Sequence, residues 1–343
     1  NLARVFTGFS WDCPDHQTAP EACFKYWGTT IRPGYPDPWP VPMRAYPQFH
    51  DGASKTFLGK TVPAQTNPME TLRLSLDIIA SHSNVAPFIS KQLIQRFVTS
   101  NPSAGYVARV ATAFKNSSGH LGTTIKAILM DPEARDMAAL DQPGFGKVRE
   151  PLLRMSALLR AFNASSASGG FLIGETKEAT GGLSQSALFA PSVFNFFRPG
   201  YTPPSSSTSA VGLVAPELQL AHESSMAGYA NFMRDVIWAG SGMRGYNGQA
   251  ARADVQMSYN LNANDAVLLQ AARPDDLVET INQRLMYGTM SGSLKEEIAQ
   301  AISAIDYRHP SSPTPEQIKG TYTFRVWSAL LLTVVSPEFL IQK

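Results

Sequence analysis

From residue 67 onward, apolar positions recur every three to four residues, the spacing that lines one face of an α-helix. Asn67-Pro68-Met69-Glu70 is a start signal, with Asn as cap, Pro at the first helical position and Glu at the third. It predicts a helix whose inner face carries Leu72, Leu76 and Ile79. Val85, Ile89, Leu93 and Phe97 predict a second helix. A third, capped by Asn101-Pro102, carries Val107, Val110 and Phe114. Ile125, Ile128 and Leu129 mark a fourth that ends near Asp131-Pro132-Glu133, and Leu152, Leu153, Leu158, Leu159 and Phe162 mark a fifth. Short connections between them imply antiparallel neighbours across residues 67–162.

Three more helices are expected in the last quarter of the chain. Leu277, Ile281 and Leu285 define one. Ser293 to Glu296 reads as a capping box for the next, which holds Ile298, Ile302 and Ile305. Thr314-Pro315-Glu316-Gln317 is a second capping box, opening a helix that runs to Val335. Before them, Pro216 to Trp238 reads as one long helix, with Glu217 as a first-turn acid, and Ala239 to Asn262 is rich in Gly and Asn.

Elsewhere the helical period breaks down. Trp11 to Pro47 is crowded with Pro, Gly and aromatic residues, which predicts an extended, packed excursion. Met43 to Gly59 predicts a β-hairpin turning at Asp51-Gly52. Residues 163–214 predict a long ordered connection, and inside it Phe189 to Tyr201 forms an aromatic knot punctuated by Pro191, Pro199 and Gly200. Proline cannot continue a helix, and glycine permits turns that other residues resist. The knot therefore reads as a rigid, buried loop. The fold expected is mainly α and multi-helical, with antiparallel helix pairs, long ordered Pro/aromatic loops and one small β-hairpin. It divides into an excursion over 11–66, a bundle over 67–162, the loop region 163–214 and C-terminal helices over 215–343, all within a single domain.

Composition narrows the function classes. Of 343 residues, 43% are hydrophobic and only 16% charged, with a net charge of +2, so no field argues for nucleic acid or an anionic membrane. No uninterrupted apolar run reaches the length of a transmembrane helix. The two cysteines, Cys13 and Cys23, sit close together in a Pro-containing segment. A disulfide is the first expectation, and it favours an oxidising compartment. Free thiols, or a metal held by Cys13, His16 and Cys23, are the alternatives.

Several strings, in one order, resemble bacterial proteins of the domain of unknown function 1800 family: ARVFTGF at Ala3, FHDGASKTFLG at Phe49, NVAPFISKQLIQRFVTSNPSAGYVARVA at Asn84, ILMDPEAR, KVREPLLRMSALLRAF, APSVFNFFRPGYTPP, VAPELQLAHESS and the terminal SPEF. The resemblance implies a largely helical, exported protein, often encoded beside an exported sulfatase-like protein. It carries no agreed catalytic residues. In the family NLARVFTGF lies inside the polypeptide, so these residues are expected to form the C-terminal portion of a longer chain.

The candidate chemistry is sparse. His50 beside Asp51, with Lys55 following, could act as a general base or bind a metal; the competing reading is a turn built on Asp51 with His50 packed on Phe49 or Tyr46. His82 ends the first capped helix, where a helix dipole favours a cation. If His50, Asp51, His82 and Asp77 converge, a divalent metal becomes credible; no other cofactor is indicated. His222 with Glu223 is a second imidazole-carboxylate pair. Arg198 could clamp an anion, and Phe194, Phe196, Phe197 and Tyr201 could form a sugar platform, although a buried core is the plainer role for these rings. Nucleotide, flavin, haem and zinc-protease motifs are absent from the sequence. Two readings remain. The first is an exported or envelope-associated protein that binds another chain or a polysaccharide through its ordered loops. The second is a secreted hydrolase with a His/Asp site near His50.

Overall fold

A computed structural model describes residues 1–26, 40–244, 253–257, 267–305 and 313–343. Parts of the Pro-rich excursion (27–39) and of the Gly/Asn-rich stretch (245–252 and 258–266) lie outside them. The chain divides into two compact units, 1–89 and 90–343.

The first unit begins with a 3-10 turn, Leu2–Phe6, followed by β1 (Phe9–Ser10) and α1 (Pro20–Tyr26). β1 pairs antiparallel with β2 (Arg44–Ala45). Cys13 and Cys23 form a disulfide. Both are buried with Tyr46, and Trp11, Phe24 and Phe49 pack around them. The rings of Phe24 and Phe49 lie 4.5 Å apart. This small aromatic core surrounds a cross-link of the kind that stabilises chiefly by restricting the unfolded chain.

The hairpin exists but is displaced from its expected position. It pairs β3 (Lys55–Phe57) with β4 (Lys60–Val62), and its turn is Leu58-Gly59, not Asp51-Gly52. Leu58 and Gly59 have φ of 50° and 71°, the left-handed pair that a two-residue hairpin turn requires. Asp51 is instead held by side-chain bonds described below. Next comes α2 (Pro68–Ala80), capped as expected, with the Asn67 side chain accepting from the Met69 and Glu70 amides. Its buried face is Pro68, Thr71 and Ser75, while Leu76 is 51% exposed. The inner face is thus rotated by about one residue from the Leu72/Leu76/Ile79 stripe.

The division between units falls within α3 (Val85–Phe97). In the second unit, α4 (Ala104–Asn116) and α5 (Leu121–Leu129) pack as a helical hairpin around Ile94, Tyr106, Val110 and Ile128. The short α6 (Pro132–Arg135) follows. The main core is shared by α7 (Pro151–Ala161), α9 (Glu223–Ala239), α11 (Pro274–Met286), α12 (Gly292–Ser303) and α13 (Pro315–Val335), with the short α8 (Ser207–Ala210) and α10 (Val267–Gln270) between them. Its fully buried side chains include Leu158, Phe162, Met233, Leu277, Ile302 and Leu330. The capping box at Thr314 forms as read. α12 is capped by Ser291 rather than Ser293.

The expected helix over Pro216–Trp238 is two elements. Pro216–Leu220 is a 3-10 turn, the chain extends through Ala221 and His222, and α9 starts at Glu223. The fold is mainly α, and beyond the hairpin it holds further small antiparallel sheets. β5 (Lys147–Val148) pairs with β9 (Ile341–Gln342), which follows the one-turn α14 (Pro337–Leu340). β8 (Ala253–Gln256) lies between β6 (Ser165–Ser166) and β7 (Ser241–Arg244). No described helix is long and apolar enough to cross a membrane.

Candidate functional site

The aromatic knot is the most unusual surface of the second unit. Only Phe197 is buried, at 4% exposure. Phe189 (55%), Phe194 (75%), Val193 (95%) and Leu188 (105%) project into solvent, which corrects the expectation of a buried loop. The backbone holds them out at a cost. Ser184, Leu188, Asn195 and Ser205 all adopt positive φ, between 54° and 69°. For Leu188 and the two serines this conformation costs roughly 1–2 kcal/mol, while Asn195 tolerates it more readily. Such strain persists only where surrounding structure over-determines it.

That surrounding structure is a buried polar clamp at the base of the loop. The Lys147 and Glu217 side chains are 0% and 2% exposed, and Nζ lies 3.1 Å from Oε1. The Lys147 ammonium also donates to the Arg96 carbonyl at 3.0 Å. Lys147 is placed by β5, which is paired with β9, and Glu217 by the 3-10 turn after Pro216. The Arg96 guanidinium donates to Glu150 at 2.9 Å and sits 4.4 Å over the ring of Phe197. Gln185 ties the other Glu150 oxygen at 2.6 Å. The Gln95 amide donates to the carbonyls of Ser100 (2.9 Å) and Pro199 (3.2 Å). Asn101 exchanges two hydrogen bonds with the Val214 backbone. The Arg198 amide donates to Gln219, and the Ala215 amide donates to the Tyr201 carbonyl.

Gln95, Arg96, Phe197, Pro199 and Glu217 line a cavity of about 20 Å³, the size of one water molecule. Glu217 Oε2 and Gln95 Oε1 are buried without a protein partner. A buried acceptor is costly when unsatisfied, and a single water is what such a cavity admits.

The clamp is not legible in the sequence. Glu217 does stand in a first turn, that of the 3-10 helix after Ala215, and it is also the buried partner of Lys147. Lys147, Arg96, Gln95 and Glu150 belong to no recognisable catalytic spacing, so sequence alone does not single them out. The one available signal was that the KVREP, QRFVTSNP, FNFFRPGY and APEL strings stood out as a set.

The residues read as catalytic all lie in the first unit, where His50 and Asp51 sit together and His82 makes no bond to either. His50 Nδ1 lies 2.9 Å from the Thr7 carbonyl, and Nε2 lies 3.0 Å from the hydroxyl of buried Thr71. Both Asp51 oxygens accept from Arg4, at 2.5 and 2.9 Å. The Lys55 ammonium, on a residue 1% exposed, donates to the carbonyls of Asp51 and Ala53. These bonds tie the N-terminal turn, the hairpin and α2 to one another. His82 is exposed, and its ring accepts from the Asn84 amide. Asp77 pairs with Arg73 on the exposed face of α2. His222 caps α9 in a box with Ser225. Arg198 is exposed and Tyr201 half-buried. Among the described residues no group of three or more His, Cys, Asp or Glu could hold a metal ion.

Arg4 holds the Asp51 carboxyl well below the usual carboxylate range, with help from the Ala53 amide. The unfolded carboxyl titrates near about 3.9, so its stabilisation is complete above that value and is lost as pH falls toward the lower folded one. Asp51→Asn should therefore lower the melting temperature at pH 7. The gap from the unsubstituted chain should narrow steadily below about pH 4. Thermal melts of both proteins across pH 2–7 check this.

Residues 1–341 match the model of the family described as Protein of unknown function (DUF1800). The chain belongs to that family. No curated protein and no solved structure matches it. In this DUF1800 chain the quoted strings around Gln95, Lys147, Phe197 and Glu217 meet at the clamp, which places the set in one region of the second unit.

Proposed function

We propose that this DUF1800 protein is a binding protein, exported or envelope-associated, whose loop from Leu188 to Phe194 docks on another protein chain. One observation carries the reading: a clamped, conformationally costly loop presents Leu188, Phe189, Val193 and Phe194 to solvent. Contiguous exposed apolar side chains mark interaction sites, and preorganisation lowers the entropy lost on binding. The disulfide supports an oxidising compartment. A protein partner is favoured over a polysaccharide because two of the four presented side chains are aliphatic and none carries a polar group. Sugar recognition needs hydrogen-bonding groups beside the ring. The partner chemistry that fits best is a folded exported protein with an apolar recess, and the sulfatase-like protein implied by the family resemblance is the candidate.

The hydrolase reading has weaker support, since the functional atoms of His50, Asp51 and Lys55 are engaged by Thr7, Thr71, Arg4 and backbone carbonyls. Titration calorimetry of the full chain against the purified sulfatase-like protein tests the proposal. Phe194→Ala should weaken binding by at least tenfold, the loss expected for an aromatic anchor at the centre of an interface. Equal affinity for both proteins, or binding only to a soluble polysaccharide, would contradict it.

A further inference from the structure

A second feature of the same unit is independent of the loop. Arg149 and Arg154 flank the N-terminus of α7. Arg154 is 5% exposed, and its Nε donates to the Arg149 carbonyl at 2.7 Å. Its guanidinium carbon lies 5.0 Å from the centre of the Tyr229 ring, and that of Arg149 lies 4.8 Å from the centre of the Phe339 ring. Neither guanidinium makes an ion pair with a described residue. The two nearby carboxylates are already engaged, Glu150 by Arg96 and Gln185, and Glu217 by Lys147. Arg96, Lys147, Arg149 and Arg154 therefore outnumber Glu150 and Glu217, leaving an excess of positive charge in a largely desolvated region.

The neighbouring groups do not supply the missing negative charge. Burial pushes the Tyr229 phenol up to about 12, so it stays protonated, and its hydroxyl donates to the Val334 carbonyl at 2.8 Å. The carbonyl end of α13 contributes about half a charge at most, and the amide end of α7 opposes it with a similar amount. Burial pulls both guanidinium groups below their ordinary range, the direction expected of cations short of counter-charge. Taking a charge out of water without a partner costs several kcal/mol by order of magnitude. Arg149 is only half-buried, and Tyr287, 81% exposed, lies close enough to influence its charge. Arg149 is therefore the member of the pair that solvent reaches, Arg154 being 5% exposed.

We propose that Arg149 and Arg154 form a binding site for one oxyanion group, a phosphate, sulfate or carboxylate, reached from the half-exposed Arg149. Two planar guanidinium groups suit such a ligand because each can present paired donors to two oxygens. The ligand would restore charge balance next to the clamp without touching the loop.

The test uses the full chain in calorimetric titrations with sodium phosphate, sodium sulfate and sodium acetate, each against sodium chloride at equal ionic strength. At least one oxyanion should bind saturably where chloride does not, and the three arms show which headgroup is preferred. Arg149→Met, at the half-exposed position, should weaken that binding at least tenfold while the protein still melts cooperatively. Arg149→Lys should fall between the two, keeping the charge and losing the fork. If no oxyanion binds more tightly than chloride, or if Arg149→Met binds as tightly as the unsubstituted chain, the site does not exist. Should Arg149→Met fail to melt cooperatively, the Arg149→Lys titration decides: undiminished affinity overturns the proposal, and weakened affinity supports it.

Discussion

Lys147→Met is expected to destabilise the second unit by roughly 3–5 kcal/mol, because it strands the Glu217 carboxylate in the interior with no cation beside it. Glu217→Leu should cost about as much, for the mirror reason. The double substitution Lys147→Met/Glu217→Leu should recover most of the loss, since an apolar pair of similar volume carries no desolvation penalty. Hydrogen exchange of peptides from residues 90–343 measures all three. The pattern matters more than any single value. Two severe single substitutions with a mild double one identify an ion pair that is costly to break. Three mild effects would mean that bulk solvent reaches the pair and that the clamp is not sealed.

The second large effect separates two phenylalanines three residues apart. Phe197→Ala removes a ring that is 4% exposed and carries the Arg96 guanidinium on its face. It should cost about 3–5 kcal/mol, as buried Phe to Ala changes do. Phe194→Ala removes a ring that is 75% exposed and should change stability by no more than about 0.5 kcal/mol. Binding should follow the opposite order in well-folded protein, with Phe194 the more sensitive. Denaturant titrations and partner titrations on the same two preparations check both halves. A stability loss at Phe194 matching that at Phe197 would mean that the exposed ring serves the fold and not a partner.

Helix positions were legible because capping is local chemistry. Asn67 and Thr314 were identified from four-residue strings, and each makes the expected bonds. Buried faces were less legible. α2 buries Thr71 and Ser75 rather than Leu76, because Thr71 takes the His50 ring and Ser75 bonds back to the Thr71 carbonyl. α3 likewise buries Gln95, whose amide donates to the Ser100 and Pro199 carbonyls, and Phe97 is 41% exposed. Polar side chains with internal partners can occupy the core, and periodicity of apolar residues does not register them. The same blindness hid the candidate site. Lys147 and Glu217 lie 70 positions apart and meet only through β5 and the turn at Pro216. The hairpin moved for a related reason. Leu58-Gly59 takes the left-handed hairpin turn, while Asp51 makes a local turn of its own, accepting from the Ala53 amide two residues on, and pairs with Arg4. The aromatic knot was found from its Pro and Gly punctuation, but whether its rings point inward depends on tertiary packing.

Photo-cross-linking tests the recognition loop most directly. A benzophenone side chain placed at Phe194, and separately at Met137, which is 74% exposed elsewhere in the second unit, samples two surfaces of similar accessibility. With the sulfatase-like protein present, position 194 should give a discrete cross-linked species that excess unlabelled chain competes away, and position 137 should give none. Equal yields from the two positions, or none from either, would contradict the account.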